Sequence, residues 1–254
     1  MVKRKYYYHN LTDDVVASSQ QDYHLSDDYQ IFPTTLTGKI WSASIRPLAH
    51  LVSLIYLRLI LKVQIVGKEK LKAVNQQGYF IFGNHTQAFG DVVLPLRIIP
   101  AGDYYAIGAQ ANWGIPILGK FILPYFGLPV GRDFKQFDHL VKAITKVISA
   151  KKAVVIYPEA HVWPYYTKIR PFPATSMHFP VALQAPSLVM TTTYHQPKRG
   201  KRPRIVVYLD GPFYPDTSLT NKQAQHKLHT QITAAMQQRA ATSDYAYCTY
   251  HKIN

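Results

Sequence analysis

The sequence predicts a single α/β domain, a central mixed sheet flanked by helices, preceded by an amphipathic, membrane-seated helical region. Three observations carry this. The chain has 254 residues, which suits one sizeable domain better than two small ones. Apolar residues make up 47% of it, enough for a substantial core. Short strand-like runs alternate with stretches of helical periodicity, the pattern of a sheet covered by helices.

Residues 1–35 read as a polar extension, in which Tyr6, Tyr7, Tyr8, Tyr23 and Tyr29 offer surface for packing on the body. Residues 36–70 form the helical region and 71–254 the α/β domain. Within the helical region, residues 48–66 (LAHLVSLIYLRLILKVQIV) approach the roughly 20 apolar residues that a bilayer-crossing helix needs. Arg58 and Lys62 interrupt them. Four residues apart, they share one helix face, with His50 two turns before Arg58 on that side. A basic stripe on an apolar helix suits a membrane interface. A core helix with its stripe in water is the competing reading, and a spanning helix the third.

Strands are expected over 79–82, 104–107, 153–157, 187–194 and 204–209. Between the second and third, residues 138–151 place Leu140, Val141, Ile144, Val147 and Ile148 at helical spacing, with Asp138 as cap and Lys151 and Lys152 at the C-terminal end. Residues 221–239 form a polar helix with Leu228, Ile232, Ala235 and Met236 on one face. Residues 113–130 are apolar, but Pro116, Pro124 and Pro129 break them into pieces near the surface or along a groove.

The net charge is +15, unevenly spread. Residues 1–35 carry three basic and five acidic side chains; the remainder carries 26 and nine. A body this basic attracts polyanions: nucleic acid, an anionic membrane face or phosphorylated substrates. The basic run 198–204 has no nucleic-acid motif beside it, so no nucleic-acid partner is expected. Cys248 stands alone, which excludes a disulfide framework and argues against a cysteine-based metal site. No secretory signal is legible in residues 1–10, so the expected location is the cytoplasmic face of a membrane.

The chemistry concentrates at three places. Gly83-Asn84-His85 follows a strand directly, where α/β folds present reactive groups, and Asp91 comes six positions after the histidine. A carboxylate beside an imidazole fixes its tautomer and stabilises the imidazolium formed on proton uptake. No Gly-x-Ser-x-Gly elbow occurs, which argues against a serine hydrolase of that type. The run Gly127-Leu128-Pro129-Val130-Gly131-Arg132 ends in a side chain suited to bidentate anion binding. The alternative is an ion pair between Arg132 and Asp133 or Asp138. Glu159, one of only two glutamates, follows Tyr157-Pro158 at the end of another strand. It reads either as a site residue or as a loop brace.

In this order the blocks resemble the lysophosphatidate (1-acyl-glycerol-3-phosphate) acyltransferase family. The family's Asn-His-x-x-x-x-Asp, Gly-x-x-x-x-Arg and Phe-Pro-Glu-Gly-Thr-Arg blocks look like NHTQAFGD at 84–91, GLPVGR at 127–132 and YPEAHVW at 157–163. A proline-containing apolar strand looks like APSLVMTTTY at 185–194. The resemblance covers roughly residues 78–195, and residues 48–66 are similar to the family's N-terminal membrane-seated helices. It implies that His85 deprotonates a glycerol hydroxyl and that Asp91 orients His85. It also implies that Arg132 holds the acceptor's phosphate and that Glu159 shapes the acceptor site. The implied co-substrate is acyl-CoA or an acyl carrier protein, the acceptor a lysophospholipid or related glycerolipid, and no metal or cofactor is needed.

Two departures stand out. Five residues separate His85 from Asp91 where the family has four, and in a continuous helix the extra one would turn Asp91 by about 100°. Gly90 is expected to absorb the insertion through an unusual backbone turn. The family's Gly-Thr-Arg is Ala160-His161-Val162 here, so a second phosphate ligand has to come from elsewhere, with Lys168 and Arg170 the nearest. A lipid-holding relative without turnover is the alternative reading.

Overall fold

A computed structural model describes residues 4–16, 21–99 and 104–253. From the N-terminus the elements are β1 (Arg4–Tyr8), α1 (Leu36–Ile55), β2 (Gln64–Val66), β3 (Tyr79–Gly83), α2 (Gly90–Ile98), β4 (Tyr104–Gly108) and α3 (Leu123–Phe126). There follow β5 (Gly127–Pro129), α4 (Phe134–Ser149), β6 (Ala153–Ile156), α5 (His178–Ala182), β7 (Ser187–His195), β8 (Arg204–Phe213), α6 (Asn221–Ala240) and β9 (Cys248–Lys252).

Seven strands form the central sheet in the order β2-β8-β7-β3-β6-β4-β5. Every pairing is parallel except the β7–β8 hairpin, so the sheet is mixed, as expected. The central strands β3, β6 and β7 are buried along their whole length, which is why β3 (YFIFG) and β6 (AVVI) read as continuous apolar runs rather than alternating ones. Successive side chains of β3 serve opposite faces. Tyr79 and Ile81 join a core with Leu57, Val93 and Leu96 from the α1–α2 side. Phe80 and Phe82 join a second core with Ile144, Val147, Leu228, Ile232 and Met236 from α4 and α6.

The two long helices on the second face match their periodicity, with one shifted start. Asp133, not Asp138, caps α4, its carboxylate accepting the Gln136 N–H at 2.8 Å. Asp138 instead pairs with Lys142 one turn on. Thr220 and Gln223 form a capping box at the start of α6.

The N-terminal regions differ most from expectation. The apolar helix begins at Leu36, where Thr35 Oγ1 accepts the Gly38 N–H at 3.1 Å, and α1 continues into a π-helical turn, Tyr56–Ile60. Lys62 then takes a left-handed φ of 52°, and Gln64–Val66 leave the helix to pair with β8. Arg58 and Lys62 therefore do not share a helix face. The open edge of β8 satisfies the backbone of this segment, and Ile65 packs against the core. Ile45, Ala49, Ser53 and Leu57, at four-residue spacing, turn inward. Leu48, Leu51, Val52, Ile55, Leu59 and Ile60 stay exposed. The segment Leu36–Ile60 is long and apolar enough to cross a membrane, and only 22% of its most apolar window is buried.

The expected polar extension, 1–35, includes residues 1–3 and 17–20, which lie outside the described residues. Its remainder is partly built into the body. Strand β1 pairs in parallel with β9, from Arg4 opposite Cys248 to Tyr8 opposite Lys252. Tyr6 stacks on Tyr250 at 5.1 Å, and Tyr8 packs on Trp163 at 4.8 Å. Residues 113–130 are broken as their prolines demand, passing through a π-helical turn (Leu118–Ile122) and the single turn α3 into the short strand β5.

Candidate active site

The site begins where β3 runs out. Asn84 Nδ2 donates to the Thr192 carbonyl at 3.0 Å, and Asn84 Oδ1 accepts the Thr192 N–H at 2.8 Å. This pair of hydrogen bonds ties the end of β3 to β7 and sets the direction in which His85 leaves the sheet. The His85 side chain keeps 19% of its surface open, whereas Asp91 is 2% exposed. His85 Nδ1 lies 2.8 Å from Asp91 Oδ2. The same carboxylate oxygen accepts the backbone N–H groups of Thr86 and Gln87, both at 2.8 Å. Asp91 also sits in the first turn of α2, where the helix dipole favours a negative charge. An ionised Asp91 requires the proton on Nδ1, which leaves Nε2 as the basic nitrogen.

The longer spacing is therefore compatible with the pair, because residues 86–89 form a loop and α2 starts only at Gly90. The expected unusual turn at Gly90 is absent: its φ is not positive. What the position needs is the missing side chain. A Cβ there would lie 1.9 Å from Gln87 Oε1 and 2.8 Å from Gln87 Cβ. Glycine lets the loop fold tightly over the helix start, and that fold brings the carboxylate back to the imidazole.

Tyr157 forms the floor. Its ring stacks on His85 with centroids 4.7 Å apart and planes at 22°, and its hydroxyl donates to the Asp91 carbonyl at 2.6 Å. Burial, followed by the neighbouring Asp91 charge, holds the phenol's pKa well above its usual value, so it stays a donor. In the sequence Tyr157 stands out only as the first residue of the YPEAHVW block. Its place beside a strand end was visible, but the stacking partner lies 72 positions away and leaves no local signal.

Glu159 and Arg170 lie behind His85 rather than in front of it. Glu159 Oε2 accepts the His85 backbone N–H at 3.3 Å, and Oε1 accepts the Arg170 backbone N–H at 3.0 Å. The Arg170 guanidinium reaches Oε2 at 3.2 Å, donates to the carbonyls of Leu11 and His161, and lies 4.9 Å over the Trp163 ring. Burial raises the Glu159 pKa, and the Arg170 charge opposes the rise. Arg170 is 1% exposed. This corrects the expectation that Arg170 faces a phosphate: its side chain is buried, and both terminal guanidinium nitrogens bond groups inside the protein, a carboxylate and two carbonyls. Two further bonds close the brace, from Trp163 N–H to the His85 carbonyl at 3.0 Å and from Tyr165 N–H to the Thr86 carbonyl at 2.9 Å.

Arg132 and Lys168 are exposed, and among the described residues neither makes an ion pair. Asp133 and Asp138, the two carboxylates near Arg132, are occupied by the α4 cap and by Lys142. The structure thus brings His85, Asp91, Glu159 and Arg170 into one connected unit and leaves Arg132 and Lys168 outside it.

No protein-family model matches the chain, and no curated protein sequence is significantly similar to it. Among solved structures it resembles the 1-acyl-sn-glycerophosphate (LPA) acyltransferase PlsC from Thermotoga maritima. The TM-score is 0.58 at 12% identity, over 84% of this chain and 86% of that one. At that identity the likeness is one of architecture, and on it this chain has the α/β fold of a lysophosphatidate acyltransferase.

Proposed function

We propose that this protein is a membrane-associated acyltransferase of phospholipid biosynthesis. It moves a fatty acyl group from acyl-CoA or an acyl carrier protein to a hydroxyl of a lysophospholipid or related glycerolipid, with 1-acyl-glycerol-3-phosphate the leading acceptor. The observation that carries this reading is the 2.8 Å contact between His85 Nδ1 and a buried Asp91 carboxylate, on the fold described above. His85 Nε2 makes no hydrogen bond among the described residues, so the basic nitrogen is open to a substrate.

In this mechanism Nε2 accepts the proton of the acceptor hydroxyl as its oxygen attacks the thioester carbonyl. Asp91 stabilises the imidazolium. The tetrahedral intermediate expels the thiolate, which takes the proton from His85, and both groups return to their starting state. Glu159 acts at one remove: it holds the His85 backbone N–H and is itself held by Arg170. Arg132 and Lys168, both exposed and without an ion pair among the described residues, are the cations assigned to the acceptor's phosphate. Incubating the purified protein with labelled acyl thioester and lysophosphatidate should place label in the diacyl product. If no donor, nucleotide or protein-bound, yields labelled lipid, the reading is overturned in favour of a lipid-holding protein.

Membrane association follows from the outward apolar face of Leu36–Ile60 next to a body of high positive charge. The protein should sit on the cytoplasmic face and float with phospholipid vesicles, more fully when these contain anionic lipid, by about 1 kcal/mol per engaged basic side chain. Equal flotation with neutral and anionic vesicles would remove the electrostatic part, and no flotation at all would remove the association.

A further inference from the structure

A groove of about 750 Å³ lies between the end of the apolar helix and the β7–β8 hairpin. Five cations line it: Lys62, Lys198, Arg199, Arg202 and Arg204. All five are exposed, none makes an ion pair among the described residues, and no carboxylate lines the groove. Ile60, Leu61 and Ile205 make its walls apolar, and Tyr165 lines it as well. Like charges gathered around a concave surface repel one another, and a bound polyanion relieves that repulsion. Lys62 holds its place in the left-handed φ region that favours glycine, so the backbone turn at the helix end keeps an ammonium on the groove where glycine would be easier.

The position of the groove relative to His85 narrows the ligand. Asn84 is bonded both ways to Thr192, so His85 stands next to that level of β7. Strand β7 runs on to His195, which is paired with Arg204, and the loop bearing Lys198, Arg199 and Arg202 lies past it. At a rise of about 3.3 Å per residue, the backbone at His195 and Arg204 lies roughly 10 Å beyond Thr192, and the backbone of the loop bearing the other cations lies farther still. A phosphate on the same three-carbon backbone as the reacting hydroxyl sits too close to it to span that distance. A phosphate at the far end of a long flexible arm spans it readily. Tyr165 lies between the two places, since it lines the groove while its N–H bonds the carbonyl of Thr86, the residue after His85.

We propose that this groove holds the phosphate groups of a nucleotide-type thioester donor, with the pantetheine arm passing Tyr165 and the thioester at His85. The donor is then acyl-CoA rather than a carrier protein. A carrier protein presents one phosphodiester and a broad acidic face. Convergent guanidinium and ammonium groups around an apolar-walled groove instead match a small ligand carrying several phosphates. This assignment rests on the acyltransferase reading, and the test separates the two.

Coenzyme A itself is the probe, titrated calorimetrically into the full chain, alongside turnover with acyl-CoA and with an acyl-pantetheine that lacks the phosphates. In Arg199→Ala/Arg202→Ala the Kd for coenzyme A should rise about tenfold or more, and the ratio of kcat/KM for acyl-CoA to that for acyl-pantetheine should fall by a similar factor. Both positions are exposed in a loop, and an unchanged melting temperature verifies the fold. Lys62→Gly is the second variant: it relieves the backbone and should weaken coenzyme A binding all the same. The proposal is overturned if the wild-type protein does not bind coenzyme A, or if the variants bind it as tightly as the parent. It is overturned equally if a carrier-protein thioester is used while acyl-CoA is not. Coenzyme A binding that weakens in the variants, with no acyl transfer from any donor, would uphold the groove and sink the acyltransferase reading.

Discussion

His85→Ala should lower the rate of acyl transfer by about 10²–10⁴-fold while the protein stays folded. The imidazole is the one basic group at the site that is both open to a substrate and backed by a buried carboxylate, at 2.8 Å. Its removal leaves Asp91 with two backbone donors, from Thr86 and Gln87, so the carboxylate is not orphaned and the start of α2 should hold. The measurement is kcat and KM for donor and acceptor, with thermal unfolding as the control. A general base acts in the transition state, so kcat should fall with little change in either KM. Turnover within a few fold of the parent would remove His85 from the chemistry. A large drop in melting temperature would instead assign the residue to the fold.

Arg170→Met should destabilise the protein by about 3–5 kcal/mol, because it leaves a buried carboxylate without its charge partner. For a chain of this size that corresponds to a fall in melting temperature of about 10 °C. The loss should also depend on pH. Burial already raises the Glu159 pKa, and removing Arg170 takes away the main opposing influence. A carboxyl whose folded pKa lies above its unfolded value binds protons more tightly when folded. Its contribution is therefore most favourable below the unfolded pKa and is lost as pH rises through the folded one. The Arg170→Met deficit should accordingly be smaller near pH 5 than near pH 8. Glu159→Gln in the same chain should recover part of it, since no unpaired charge then remains. A pH-independent cost under 1 kcal/mol would show that the pair is not the brace described here. Because Glu159 also holds the His85 backbone N–H, any residual activity of the single variant should fall together with its stability.

Much of this molecule is legible from periodicity and residue type. The buried strands β3, β6 and β7 announce themselves as runs of aromatic, β-branched and apolar residues, because burial on both faces removes any need to alternate. Helices α4 and α6 follow from their spaced apolar residues, and the broken segment 113–130 from its prolines. The position of His85 at a strand end, with a carboxylate a few residues on, is also readable in one dimension. Other features depend on partners far away in the chain. Strand β1 has no visible destiny until Arg4 meets Cys248, and β2 and β5 are three residues long, too short to show a period. Lys62 looks helical until the edge of β8 draws the backbone away. Whether five residues or four separate His85 from Asp91 is decided by how tightly the loop can close over Gly90, a matter of ångströms at one Cβ position. Arg170 reads in one dimension as one of the nearest replacements for the arginine missing from the third family-like block. Only the folded chain, by wrapping residues 159–170 behind the His85 loop and capping them with Leu11 and Trp163, turns its charge inward. Local patterns set which segments become strands and helices, because backbone preference and burial act over a few residues. Charge partners and loop closure are settled by distances in three dimensions, and those exist only after the segments have packed.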